Sequence, residues 1–281
     1  MAQRLTVNKT YKLFIGGKFP RSESGHTAMV MSKNGRPLAA YCKASRKDLR
    51  DAVALASGGQ AKWSSQSPYL RGQILYRAAE MLEGGAAQVA SALQWHGMSP
   101  LPARRAVEAA VDTLVHFAGW TDKFQQLSSS VNPVASPHFV FTVPEPCGVV
   151  AQIHADRDFE GLVSGMARLL CGGNACISIV GERLAIAASI LGEIWHTSDL
   201  PAGTMAILTG EVRELAMAAA THRAVDGILG QSLDPEVEKQ IQEAAAETVK
   251  RLSFQSGGRT DPLEDVLAFQ DLKTTWHPVG W

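Results

Sequence analysis

The sequence predicts an α/β fold built on a doubly wound parallel sheet, and three observations carry that prediction. From residue 148 onward, apolar runs alternate with amphipathic ones: "GVVAQI", "FEGLVSGMARLL", "ACISIV", "ERLAIAASILGEIW", "TMAIL", "EVRELAMAAATH", "AVDGIL", "PEVEKQIQEAAAETV" and "KRLSF". The short runs are apolar throughout rather than at every second residue, which marks parallel strands covered on both faces. The third observation is composition: 281 residues with 46% apolar and 19% charged side chains can bury a large core.

The first 40 residues, with "LFIGGKFPRSESG" and "MSKNGRPLAAY", alternate short apolar runs with Gly, Pro, Asn and Ser, and predict strands joined by turns. After Ser45 the period changes, because Leu49, Ala52, Val53 and Ala56 share one helical face; this helix is expected to end near Gly58-Gly59. A second helix follows Pro68, with Ile74, Leu75, Ala78, Met81 and Leu82 on one stripe. A third, from Pro102 to about Leu127, buries Ala106, Ala110, Leu114 and Phe117, so three helices precede the sheet. "HFVFTV" is bounded by prolines and is expected at an edge or projecting from the body, where missing amide donors do least harm. The tail "LKTTWHP" resumes strand character, and the stretch between it and "QSGG" is too short for another domain.

Charge and cysteine usage exclude several classes. Lys plus Arg and Asp plus Glu are 27 each, without a basic block to track phosphates, so nucleic acid is not an expected partner. "MAQRLTVNKTYKLFIGG" lacks the apolar core of a signal peptide, and no apolar run approaches the roughly 20 residues of a membrane span. A cytoplasmic chain without a membrane partner is expected. Cys42, Cys147, Cys171 and Cys176 are too few and too irregular for a disulfide framework, and reduced thiols are the default.

In a doubly wound sheet, ligands bind beyond the carboxyl ends of the strands, so the loops after Ile153, Val180, Leu208 and Leu229 are the candidates. None carries G-x-G-x-x-G or a P-loop. The glycines of "LLCGGNAC" precede a strand and fit a helix C-cap turn better than a phosphate loop. His154, Asp156 and Asp158 alternate in the first loop and would suit a cation or acid/base chemistry, with Arg157 beside them. The plainer reading, three solvated polar residues, is favoured. No cysteine lies at an evident helix amino terminus: Cys171 and Cys176 read as packed hydrophobes, and Cys147 as a turn residue. His96, His116 and His196 read as ordinary helix residues, and no metal-ligand spacing is present.

Taken in order, "LFIGGKF", "ASRKDLRDAVALASGGQAKWSS", "RGQILYRAAEMLE", "HFAGWTDK", "PEPCGVVAQI", "LLCGGNA", "DLPAGTMAILTG", "HRAVDGI" and "IQEAAAETVKRLSFQSGG" resemble the amino-terminal part of the aldehyde dehydrogenase family across nearly the whole chain. "LKTTWHPVGW" is similar to that family's carboxyl-terminal strand. The resemblance implies a Rossmann-like cofactor domain with an amino-terminal β/helical layer and a small oligomerisation β element. Its expected divisions are 1–130 for the β/helical part, 131–147 with 270–281 for the oligomerisation strands, and 148–269 for the Rossmann-like part.

It also implies NAD or NADP as the class of cofactor, and a second domain, with a nucleophilic cysteine, between "QSGG" and the tail. Here the tail follows almost at once. Where the family has its general-base glutamate this chain has Gln255, and where the family has an oxyanion-binding asparagine it has Asp158. The family's ribose-binding lysine and the proline after it align with Ile179 and Val180; Glu182, Gly230 and Ser232 are the expected remnants of the cofactor site, the last two at a helix start. The pattern is most similar to the non-catalytic second half of two-lobed aldehyde dehydrogenases. The function this implies is a structural or regulatory subunit that associates with a full-length aldehyde dehydrogenase or with itself. Two alternatives stand beside it: a nucleotide-binding sensor module, and a contributor to NAD-dependent aldehyde oxidation within a complex.

Overall fold

The computed structural model describes residues 8–32, 34–155, 158–255 and 261–279. An amino-terminal sheet comes first, from β1 (Thr10–Tyr11), β2 (Thr27–Met31) and β3 (Pro37–Cys42) in the order β1-β3-β2. Between β1 and β2, Gly16 and Gly17 both have positive φ, 60° and 73°, and close a two-residue turn in which Ile15 and Lys18 exchange backbone hydrogen bonds of 3.0 Å. Only such a turn needs glycine at both central positions.

Helices α1 (Arg46–Ser64), α2 (Pro68–Gly84), α3 (Ala86–Trp95), α4 (Pro100–Ala118) and α5 (Phe124–Ser128) follow. Ser45 and Asp48 form a reciprocal capping box at the start of α1, and Ser67 followed by Pro68 starts α2. Three sequence expectations are corrected here. α1 runs through Gly58-Gly59 instead of ending there; a Cβ on Gly59 would lie 2.3 Å from the carbonyl carbon of Gly203, so this glycine lets two backbones touch and stops nothing. The helix expected over Pro102–Leu127 breaks after Ala118, where Gly119 caps it and a turn leads into α5. Among the described residues five helices, not three, therefore precede the main sheet, α3 and the separate α5 being the additions. α3 has no side-chain N-cap and buries only Val89, Ala92 and Leu93, so its local signal is weak.

After β4 (Ser130–Asn132) and β5 (His138–Pro146) come β6 (Val149–His154), α6 (Phe159–Cys171), β7 (Ala175–Val180), α7 (Ala185–Thr197), β8 (Met205–Thr209), α8 (Val212–Thr221), β9 (Gly227–Gln231), α9 (Pro235–Ala246) and β10 (Arg251–Gln255). The five strands pair in parallel in the order β10-β9-β6-β7-β8, so the predicted doubly wound sheet is present and its direction of winding reverses between β6 and β9. Its two faces belong to two cores. Val149, Ala151 and Ile153 point to the side of α1 and α8, and Val150 to the side of α4, α6 and α7. The C-cap turn expected of the paired glycines is formed by Gly172 and by Gly173 at φ 87°. Trp63, fully buried, ties α1 to α6 through a 2.8 Å bond from its Nε1 to the Leu170 carbonyl.

The chain closes with α10 (Pro262–Leu267) and β11 (Gln270–Pro278). β11 pairs with β5 over nine residues in a second sheet of order β11-β5-β4. The strand "HFVFTV" is thus the centre of this sheet and not its edge, a further correction. Its prolines, Pro144 and Pro146, lie beyond the last residue that β4 pairs, so on that side no donor is required of them. Among the described residues no helix is long and apolar enough to cross a membrane.

Candidate functional site

The carboxyl ends of the parallel strands bring one row of residues into register: Gln255, Gln231, His154, Val180 and Thr209 on adjacent strands. Around this row the side chains are committed to one another. Arg168, buried on α6, donates 2.6 Å to Gln255 Oε1 and 2.7 Å to Asp265 Oδ1, while Gln255 Nε2 donates 3.1 Å to the same Asp265 oxygen. Burial pushes the Arg168 guanidinium below its usual range, and Asp265 opposes that shift by charge and hydrogen bond. Gln255 fits this triangle because an amide both accepts and donates; a carboxylate could satisfy Arg168 but would face Asp265 with like charge.

One strand inward lies a second amide cluster. Gln152 Nε2 donates to Gln231 Oε1 (2.7 Å) and to the Leu162 carbonyl (2.9 Å), and Gln152 Oε1 accepts from Ser178 (3.1 Å). Gln231 Nε2 donates 2.9 Å to the Gly161 carbonyl, and His154 Nδ1 lies 3.3 Å from Gln231 Oε1. Gly165 makes the space for this, since a Cβ there would sit 2.2 Å from Gln152 Nε2. These bonds fasten the start of α6 to the sheet.

Asp158, set against the oxyanion position by the resemblance, is the N-cap of α6 and accepts 2.9 Å from the Gly161 amide. His154 is buried in the sheet, so the alternating residues of this loop do not form one exposed cluster; Asp156 and Arg157 lie outside the described residues. Likewise, "SGG" after Gln255 falls on Ser256, Gly257 and Gly258, outside the described residues.

At the other end of the row, Ile179 and Val180 are fully buried apolar residues of β7. Glu182 opens the 3-10 turn that follows and is exposed. The buried Tyr41 phenol beside it is pushed up to about 12, by burial first and then by the charges of Glu182 and Glu211. Gly230 does not start a helix: it lies inside β9, where a Cβ would be 2.5 Å from Phe254 and 2.8 Å from Leu233. Ser232 stands at φ 53° and its amide donates 2.9 Å to the Gln255 carbonyl, while α9 takes its cap from Asp234. The expected helix-start placement of Gly230 and Ser232 is therefore corrected; the apolar packing of Phe254 decides it.

Burial raises the Cys147 and Cys171 thiols to about 12, and raises Cys176 further, so none of the three is a thiolate at neutral pH. Cys42 is also buried. His96 follows the end of α3, and His196 on α7 meets Phe14 and Phe19 edge-on. His116 lines a groove of about 730 Å³ between α4, α6 and α10, together with Asp112, Thr113, Phe117, Asp158 and Ser164. Sequence reasoning missed Arg168, Asp265, Tyr41 and Glu211. Arg168 carried one usable signal, a charge on the otherwise apolar face of "GMARLL".

The sequence pattern of the aldehyde dehydrogenase family matches residues 19–273. The chain belongs to the aldehyde dehydrogenase family. Among curated relatives, the DhaS protein of Bacillus subtilis (strain 168), which carries an aldehyde dehydrogenase name, is 28% identical over 258 residues; the match spans 89% of this chain and 51% of DhaS. Two solved structures share the fold. The NAD+ complex of an aldehyde dehydrogenase from Bacillus cereus has a TM-score of 0.83 at 22% identity, covering 89% of this chain and 51% of that one. Betaine aldehyde dehydrogenase from Staphylococcus aureus, solved with NAD+, has a TM-score of 0.82 at 20% identity, covering 88% and 51%. The chain spans about half the length of the relatives it matches.

Within this aldehyde dehydrogenase fold, the described chain between β10 and β11 carries α10 alone. The strand end that the resemblance assigns to a proton acceptor holds a hydrogen-bonded amide instead.

Proposed function

We propose that this chain is a non-catalytic aldehyde dehydrogenase homologue that serves as a structural or regulatory subunit, joining a full-length aldehyde dehydrogenase through β5 and β11. One observation carries the reading. Gln255, at the general-base position the resemblance implies, spends its amide on Arg168 and Asp265, and through α10 the chain then returns directly to a β11 whose residues from Asp271 to Pro278 are all exposed. A site without a titrating base or a thiolate has no means to form and hydrolyse a thioester. A long exposed edge strand, in contrast, is a template for another chain.

This reading takes residues 148–269 as the cofactor-type part, 1–130 as its β/helical layer, and 131–147 with 270–281 as the association element of a cytoplasmic protein. Co-expression with a full-length homologue tests it: the two should co-purify as a defined oligomer, and a chain never recovered with that partner defeats the reading. The variant Gln255→Glu should leave aldehyde oxidation by the purified chain at background, because burial keeps the Cys147, Cys171 and Cys176 thiols protonated.

A second reading, a sensor of NAD, NADP or another nucleotide, draws on the crevice where the sheet reverses between β6 and β9. Against it, Ile179 replaces the implied lysine, and Glu182 and Glu211 put negative charge beside Tyr41. Calorimetry with NAD, NADP and ATP separates the two readings, and absence of heat at millimolar ligand removes the sensor. A share in NAD-dependent aldehyde oxidation within a complex would instead appear as a partner whose rate falls when this chain is withdrawn.

A further inference from the structure

We propose that proton uptake by His222 releases a latch between two turns at the amino-terminal end of the parallel sheet, a pH-sensitive device that loosens the start of β10. The latch lies at the opposite end of the sheet from Gln255, Gln231 and His154, and it is built from hydrogen bonds to main-chain groups.

The first turn, residues 222–226, joins α8 to β9. His222 caps the end of α8, and its carbonyl accepts 3.1 Å from the Val225 amide. Its imidazole closes the same turn, for the Ala224 amide donates 3.2 Å to Nδ1. A main-chain N–H can only donate, so Nδ1 must offer a lone pair, and the ring proton of the neutral imidazole must sit on Nε2.

The second turn joins α9 to β10 and reaches across to the first. Lys250 Nζ donates 2.7 Å to the His222 carbonyl and 2.7 Å to the Val225 carbonyl. Directly after it the amide of Arg251, the first residue of β10, donates 3.0 Å to the Asp226 carbonyl. This second turn is biased to open. Val249, immediately before Lys250, stands at φ 51°, where a β-branched side chain crowds its own backbone, and at 91% exposure burial does not offset the strain. The bonds made by Lys250 oppose that bias.

Protonation undoes the latch in two ways. A proton on Nδ1 turns the acceptor of the Ala224 amide into a second donor, so that bond is lost. The imidazolium also sets a positive charge beside the Lys250 ammonium, which is bound to the carbonyl of the same residue. The neighbouring charges are engaged, neutral or in water. Asp226 accepts from the Val149 amide and acts on Lys250, and Arg251 pairs with Asp271 of β11. The Cys147 thiol, pushed up to about 12, is uncharged, while Arg223 on the turn and Glu247 at the end of α9 are exposed. The carbonyl end of α8 favours the imidazolium; burial first, and then the Lys250 charge, oppose it and prevail. The latch is therefore closed at neutral pH and opens as the pH falls below about 6.5, the value of an unperturbed imidazole.

Hydrogen exchange of the full chain between about pH 8 and about pH 5, corrected for the intrinsic pH dependence of exchange, tests each bond separately. The Ala224, Val225 and Arg251 amides should lose protection below about pH 6.5 by up to about tenfold per pH unit, the limit for one linked proton, while the amides of β7 keep theirs. His222→Asn supplies a side-chain oxygen that can accept from the Ala224 amide but does not titrate, and should hold the protection across the whole range. Lys250→Met keeps the apolar stem and removes the ammonium. Protection of the three amides should then be low already at about pH 8, and the His222 pKa, followed by NMR, should move up. Protection that stays constant over the range overturns the proposal, as does a loss that persists in His222→Asn or one that β7 shares.

Discussion

β7 and β11 are both strands of this chain, and their surroundings are opposite. All six residues of β7 are buried, with α1 and α8 on one face and α6 on the other, whereas every residue of β11 after Gln270 is exposed. β7 is paired on both sides, by β6 and β8, whereas among the described residues β11 is paired only by β5. The difference separates a sheet buried within the molecule from one exposed to solvent. The parallel sheet draws its stability from apolar burial within the molecule; the three-stranded sheet holds Leu272, Trp276, Phe139 and Val131 in water.

Substitutions on the two sides of this contrast should differ by an order of magnitude in their effect on folding. The largest loss is expected from Asp265→Ala, which strands the buried Arg168 guanidinium and should lower the unfolding free energy by about 3–5 kcal/mol in urea titration. A loss below 1 kcal/mol would mean that the Arg168–Gln255–Asp265 triangle contributes little to the core. Next comes a pair of neighbours on α1. Gly59→Ala should destabilise by about 1–3 kcal/mol, since the added methyl meets backbone at 2.3 Å, while Gly58→Ala, with nothing within 4 Å, should stabilise by up to about 1 kcal/mol through helix propensity. Equal effects at the two positions would deny the close approach of α1 to Gly203.

On the exposed side, Trp276→Ala should change the monomer's stability by no more than about 0.5 kcal/mol, although the ring meets His138 edge-on. A thermal shift as large as that of a core substitution would show that the second sheet is packed after all. The smallest effect concerns pH. Burial and the Lys250 charge lower the pKa of His222, so below about pH 6.5 the unfolded chain takes up this proton before the folded one does. Stability should therefore fall as the pH drops through that range, and His222→Asn should flatten this part of a stability–pH curve.

The parallel sheet was legible in the sequence because burial on both faces writes itself as unbroken apolar runs such as "ACISIV" and "TMAIL". The capping of α1 was legible for a similar reason, Ser45 standing three residues before Asp48. Glycine has three uses in this chain, a turn at Gly16-Gly17, a helix cap at Gly172-Gly173 and, at Gly59, a contact between backbones inside a helix, and only the last misled. No local pattern distinguishes the third from the others. The prolines of β5 pointed toward an edge, and the strand is central because β4 stops short of them.

By itself the sequence determined the α/β class, the alternation of strands and helices, the family, and the presence of an amide where a carboxylate was expected. These are properties of neighbouring residues or of residue identity, and they survive without any knowledge of packing. The tertiary structure alone decided what that amide does. Gln255 stands 87 residues from Arg168 and 10 from Asp265, and only the crossing of α6 over the end of β10 and the docking of α10 join the three. It also decided which edge of the small sheet is free, because edge and centre differ only in whether another strand lies alongside, and a strand's own residues do not record its neighbours.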